Sequence, residues 1–408
     1  MKEERKKGAG LHAGEGAIAD AYNFDRLTDR RGTYSYKWDV AEGELPMWVA
    51  DMDFVTAPAV LDAIVRRAEH GIFGYSSTPD EYFLAVSAFF GRRHGFAPPT
   101  EWMVYSNGIV AAIGSVIRRL THPGENVLIQ APVYNIFYNS ILNNGRNVIS
   151  SDLVYDGGKY TVDYADLEAK LALKQTSLMI LCNPHNPVGL LWSREELCRI
   201  GELCKRHGVV LLSDEIHCDF VTRGRAYTPF CSIPELRDIS VSCVSPSKSF
   251  NIAGLQSATV IIPDPVLRHR VWRGINTEEL GEPNAFAMSA GIAAYRDSDG
   301  WLDGLVDYIF ENRALAQKYI AGNIPQLRAV HGEATYLLWI DVSGVCEDSV
   351  AFTERLRELT GLYLSEGREY GECGRSFVRM NLATQRSRVL DGLDRLRRGV
   401  EEILAEKK

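Results

Sequence analysis

At 408 residues the chain exceeds the length at which one hydrophobic core stops growing, so a large unit with a smaller companion, and a cleft between the two, is expected. Hydrophobic residues at 46% and charged residues at 24% are the proportions of a soluble globular protein, which excludes fibrous and disordered classes. The net charge of -8, from 53 acidic and 45 basic side chains without a clustered basic stripe, argues against a nucleic-acid partner.

The opening MKEERKKGAG is charged and lacks the apolar run of a signal peptide, and the polar, Gly-rich stretch through Gly16 is expected to form a mobile tail over residues 1–20. Nothing later approaches the ~18 apolar residues of a membrane span. Eight cysteines, at 182, 198, 204, 218, 231, 243, 346 and 373, form neither a CxxC pair nor a dense framework. They read as reduced, mostly buried thiols, and a cytoplasmic location is the expectation.

Apolar residues at helical spacing in PAVLDAIVRRAEHG predict a helix from Ala57 that closes on Gly71. A second helix is predicted over PDEYFLAVSAFFGRRHG, opened by Pro79 and Asp80, and a third over GIVAAIGSVIRRLTHPG, stopped by Pro123 and Gly124. Short runs come next, apolar on both faces: NVLIQAP, SLMILCNP, GVVLLSDE, ISVSCVSPS and SATVIIP, with helical stretches such as SREELCRIGELCKRHG between them. That alternation predicts an α/β protein with a mostly parallel sheet covered on both sides. From about Tyr295 the texture changes to a long charged helix through FENRALAQKYIAGNI and strand-like runs at ATYLLWIDV and SFVRMNLA, a smaller α+β domain. The expected division is an N-terminal segment of the small domain over 21–56, a large domain over 57–294 and the small domain over 295–408.

In parallel sheets ligands sit beyond the carboxyl ends of the strands. Those ends carry Asn107-Gly108 after EWMVYS, Asn183 to Gly189 after SLMILC, Asp214-Glu215-Ile216-His217 after VVLLS, and Ser245-Pro246-Ser247-Lys248 after ISVSCV. A lysine framed by serines after an apolar strand can lose its charge by desolvation and act as an amine nucleophile, although a lysine standing alone reads as a surface residue. Asp214 could hold a pyridine nitrogen protonated; alone, it reads equally as a cap or an ion-pair partner. Gly108 opening a helix, with the hydroxyls of Ser245 and Ser247, offers donors to a phosphate, a weak signal by itself.

NPHNPVG, DEIH and SPSKSFNIAGL, in that order, resemble the cofactor-binding motifs of class I/II aminotransferases of the pyridoxal-5′-phosphate (PLP) fold type I, a likeness that runs from about Tyr22 to about Ile403. LPMWVADMDF, RRGTYSYKWD, GYSS and FVRMNLA resemble its MalY/PatB branch, largely cystathionine β-lyases and related cysteine-S-conjugate lyases. The resemblance implies a seven-stranded large-domain sheet, Lys248 as the Schiff-base lysine and Asp214 as the partner of the pyridine nitrogen. It further implies Asn186 at the phenolic oxygen and substrate carboxylate, Tyr134 stacked on the ring, and Arg379 clamping the α-carboxylate by a bidentate pair. Ser245, Ser247, Gly108 and Ile109 would serve the phosphate, and Ala50 the substrate. Tyr75 would reach the phosphate site of a neighbouring subunit, making a homodimer with shared sites. The catalytic set is then Lys248, Tyr75 and Tyr134.

Two positions depart from the wider family: His217 stands where many members have a tyrosine, and Gln256 where a phosphate-binding arginine is common. No metal is expected, since His185 and His217 are explained by the cofactor motifs. Trp38, Trp48 and Trp339 read as cleft or core residues. The implied reaction is α,β-elimination on L-cystathionine or related S-conjugates, against an aminotransferase and a regulatory protein that keeps the fold.

Overall fold

The computed structural model describes residues 22–407, so the expected tail over 1–20 lies outside the described residues. Seven strands form one sheet in the order Met103–Ser106, Ala258–Ile261, Ser240–Val244, Val210–Asp214, Thr176–Cys182, Asn126–Ile129 and Asn147–Ser150. Only Ala258–Ile261 runs against its neighbours; the pairings from Ser240–Val244 onward are parallel. Six strands match the expected runs, and the edge strand Asn147–Ser150 is the addition.

Alternation along each strand explains why both faces are covered. Leu178 and Ile180 pack with Ile113, Val116 and Ile117 of the helix Ile109–Leu120, whereas Met179 and Leu181 turn to the other face, against Leu197 and Ile200 of the helix Arg194–Arg206. All of these side chains are fully buried, and each contributes roughly 1.5–3 kcal/mol of transfer free energy. The helix Arg194–Arg206 begins at a capping box in which Ser193 and Glu196 satisfy each other's backbone amides. The first two predicted helices run over Pro58–Glu69 and Asp80–His94, the second ended by Gly95 in the left-handed conformation at φ 68°. The third stops at Leu120, earlier than Pro123, because the Thr121 hydroxyl bonds back to the Ile117 carbonyl at 2.5 Å and the chain turns extended.

A second sheet of four strands pairs Leu337–Asp341 antiparallel with Phe377–Asn381, flanked by Arg328–Ala329 and Ser365–Glu366. Its core takes Leu338, Ile340, Val378 and Met380 with the helices Ser349–Thr360 and Arg386–Glu406 and with Trp38 and Met47 from the N-terminal segment. Leu45–Pro46 pairs with Leu362–Tyr363. The helix Asp299–Asn323 starts well before Phe310, and the helix Ala287–Asp297 crosses the position where the texture of the sequence changes. No helix among the described residues is long and apolar enough to cross a membrane, and all eight cysteines are free thiols.

Candidate active site

Four strand ends, three of them neighbours and the fourth beyond Ala258–Ile261, bring the motifs together. Backbone bonds past the last paired residues, from the Asn183 amide to the Asp214 carbonyl at 2.8 Å and from the Glu215 amide to the Cys243 carbonyl at 2.9 Å, keep the exits in register. A cavity of about 400 Å³ lies there, lined by Gly108, Ile109, Tyr134, Ser247, Lys248 and Gln256, with Ser245 also at its wall.

Gly108 has φ 128°, a conformation that side chains rarely adopt, and no side chain caps the helix it opens. The first amides of Ile109–Leu120 therefore have no side-chain cap and open on the cavity, an arrangement suited to an anion. Ser245 is already engaged: its hydroxyl donates to the Ser257 carbonyl at 2.6 Å and accepts from the Ser247 amide at 3.1 Å. It caps the short turn Pro246–Ser249 that carries Lys248.

The Lys248 amine donates to the Ala50 carbonyl at 2.5 Å, and burial lowers its pKa to about 8. Asp214, the last residue of its strand, is buried; one oxygen accepts from the Ile216 amide at 3.3 Å and the other has no partner. Burial pushes this carboxyl up to about 7 against that amide bond, with Glu215 adding to the rise. His217 is also buried with both ring nitrogens unpaired, edge-on to Tyr336 at 5.4 Å. Burial first, and then the charges of Lys248 and Arg379, hold it neutral. Burial raises the Tyr134 phenol to about 12.

Arg379 reaches the same region from the second sheet. Its guanidinium donates to the Asn186 side-chain oxygen at 3.1 Å and the Trp48 carbonyl at 2.9 Å, lies over the Tyr370 ring at 4.8 Å, and leaves a buried Nε without a partner. The segment 48–52 joins the two sides. Val49 and Asp51 carbonyls accept from Asn381 at 2.6 Å each, Tyr336 donates to the Ala50 carbonyl at 3.0 Å, and Asn251 bonds both the amide and the carbonyl of Met52 at 3.1 Å. Beneath it the buried Lys37 pairs with Asp53 at 2.9 Å and Arg30 bridges Asp51 and Asp53. Burial alone would raise Asp53, but Lys37 and Trp38 outweigh it and hold the carboxyl at about 2.

Lys248, Asp214, Asn186, His217, Tyr134, Ser245, Ser247, Gly108, Ile109, Arg379 and Ala50 are thus brought to one region. Tyr75 is not; its side chain is fully exposed on the segment after Gly71. Tyr336, Asp51 and the Trp48 carbonyl were not singled out by the motifs, and only the nearness of MWVADMDF pointed toward the last two. Trp38 and Trp339 are core residues. His185 and His217 share no ligand cluster; among the described residues the group able to approach a metal is His94, Cys218 and Asp219, within 4.8 Å of one another, and Asp219 there is already paired with Arg93.

The sequence matches the family described as aminotransferase class I and II over residues 44–396. It is 40% identical to cystathionine β-lyase PatB of Bacillus subtilis, over 92% of this chain and 99% of that protein, and 34% identical to the protein MalY of Escherichia coli, over 91% and 97%. The structure superposes with a TM-score of 0.90 on a PLP-bound protein of Clostridium difficile called a putative aminotransferase, 36% identical and covering 93% of this chain and all of that one. Motifs, sheet topology and these likenesses agree: the chain belongs to the class I and II aminotransferase family, in the branch of PatB and MalY.

Proposed function

We propose that the protein is a PLP-dependent carbon–sulfur β-lyase that cleaves L-cystathionine or related L-cysteine S-conjugates to pyruvate, ammonia and a thiol. The lyase reading rests on the 40% identity to cystathionine β-lyase PatB, and the observation that carries its cofactor is the pairing, in one region, of a lysine amine lowered to about 8 with a buried aspartate whose second oxygen has no partner. An unpaired buried carboxylate oxygen is costly, and a protonated pyridine nitrogen is the partner it lacks, so the residues fit the cofactor. When bound, PLP supplies an electron sink for the charge that develops at the substrate Cα.

Lys248 anchors the cofactor through its amine and, once substrate has taken its place, removes the Cα proton as general base. Asp214 holds the proton on the ring nitrogen. Arg379 offers its remaining N–H groups to the α-carboxylate while Asn186 and the Trp48 carbonyl fix its plane, and the segment at Ala50 closes the substrate side. Asn186 would also serve the phenolic oxygen of the cofactor and Tyr134 would cover its ring, with the buried, neutral His217 in the same region. Ser247 and the amides at Gly108 and Ile109 would hold the phosphate, while Ser245, its proton committed to Ser257, shapes the turn. The Cβ–S bond breaks with its electron pair on sulfur, Lys248 returns the proton to that thiolate and retakes its own place on the cofactor, and water converts the enamine so released to pyruvate and ammonia. Tyr75, exposed here, fits a homodimer in which it serves the site of a second copy.

The test is an absorbance scan of the purified protein, then addition of L-cystathionine with no keto acid present. A cofactor band with equal yields of pyruvate and thiol supports the lyase. The likeness to a protein called a putative aminotransferase favours a second reading. The same band without pyruvate, and amino transfer once a keto acid is supplied, selects it.

A further inference from the structure

The turn Pro246–Ser249 is a single helical turn, too short to hold its shape alone. Its placement comes from three anchors. Ser245 caps its start. Asn251, just beyond its end, bonds the Met52 amide and carbonyl and, at 2.8 Å, the Phe54 carbonyl. The third anchor is Ser249, the residue after Lys248, whose buried hydroxyl donates to Asp219 Oδ2 at 2.5 Å. Asp219 lies five residues beyond Asp214 on the segment that also carries His217, so this bond joins the lysine-bearing turn to the aspartate-bearing arm.

The far side of Asp219 is fixed by the end of the helix Asp80–His94. Oδ1 meets Arg93 Nε at 3.3 Å and His94 Nε2 at 3.1 Å, and Arg93 is itself held by Asp303 at 2.8 Å. The His94 ring rests edge-on against Tyr227 at 5.0 Å, and the Tyr227 hydroxyl donates to Glu215, the neighbour of Asp214. Glu215 also accepts from the Phe230 amide at 2.9 Å and Ser242 at 3.1 Å. One helix end therefore braces the arm at both Asp219 and Glu215, and the arm braces the turn.

We infer that Asp219, held by Arg93 and His94 and bonded to Ser249, is a positioning residue that sets the separation between the Lys248 amine and the Asp214 carboxylate. This rests on the lyase reading, because the separation matters only if one ring bridges the two groups. A displacement of about 1 Å at a reacting group costs on the order of 100-fold in rate, so a bond this close to the lysine acts on chemistry before it acts on substrate affinity.

The experiment compares wild type, Ser249→Ala, Ser249→Thr and Asp219→Asn as PLP-loaded proteins. It reads PLP dissociation, the midpoint of the pH titration of the cofactor absorbance, and kcat and KM for L-cystathionine. Ser249→Ala should weaken PLP retention about 10-fold, move the titration midpoint and lower kcat roughly 10- to 100-fold with KM within about 3-fold. Ser249→Thr, which keeps the hydroxyl, should restore all three, and Asp219→Asn should move them in the same direction as Ser249→Ala. Unchanged retention and titration in both Ser249→Ala and Asp219→Asn would overturn the positioning role while leaving the lyase reading intact. A wild type that takes up no PLP would overturn both.

Discussion

Replacing Arg379 with alanine isolates the proposed carboxylate clamp. The guanidinium spends two N–H groups on Asn186 and Trp48, is almost fully buried, and has an unpaired Nε, so it retains a fork with donors to spare for a carboxylate. Removing one partner of a desolvated, hydrogen-bonded charge pair costs about 3–5 kcal/mol. At about 1.36 kcal/mol per tenfold in rate, that is roughly a 150- to 5,000-fold fall in kcat/KM for L-cystathionine. Lysine at the same position keeps the charge but loses the planar fork, and a fall of about 10- to 100-fold is expected. The assay is pyruvate release under initial-rate conditions, with cofactor absorbance recorded for each variant to establish equal loading. An alanine variant that loads normally and retains kcat/KM within about fivefold would refute the assignment of Arg379.

Lys248→Ala should abolish both turnover and the absorbance of lysine-bound cofactor; retention of both would remove Lys248 from its role. Asp214→Asn has a pH signature in the cofactor-free protein. Because burial raises Asp214 from 3.8 to about 7, the folded chain binds more protons than the unfolded chain between those values. Stability is therefore lost as pH rises through that window, and the penalty is full above it. Urea unfolding should find the asparagine variant more stable than wild type at pH 8, with the difference shrinking toward pH 4; equal stability at pH 8 would contradict the buried, unpaired carboxyl.

Much of the site was legible because its residues sit directly after strands whose apolar runs are unmistakable. The rule that ligands gather at carboxyl ends marked Asp214, Ser245 and Lys248 as candidates, and the rule for helix starts marked Gly108, but their roles came from the resemblance of the surrounding motifs. Asn147–Ser150 was harder to see: it is an edge strand, opens on an exposed asparagine and is nowhere fully buried, so it lacks the apolar run of its neighbours. The early turns of Asp299–Asn323 were hidden by Asp299, Asp303 and Asp307, which interrupt the buried Trp301, Leu302 and Leu305 in the sequence. The MWVADMDF block pointed to the segment of Trp48 and Ala50 but not to their carbonyls as the groups that act, because a backbone acceptor looks the same at every residue. Ser245 was legible as a site residue but not as a turn cap, since only the fold brings the Ser257 carbonyl within reach of its hydroxyl.

The segment 48–51 also bears on how the protein is made. Its carbonyls are claimed by Arg379 and Asn381, partners 330 to 332 residues further along the chain. During synthesis the parallel sheet, the lysine and the aspartate emerge from the ribosome long before those partners do. The nascent chain thus carries Lys248 before the arginine proposed to clamp its substrate has been made, and closing that long loop has to wait for it. On the proposed role of Arg379, a chain cut short before Phe377–Asn381 keeps the seven-stranded sheet's sequence but never gains the carboxylate clamp.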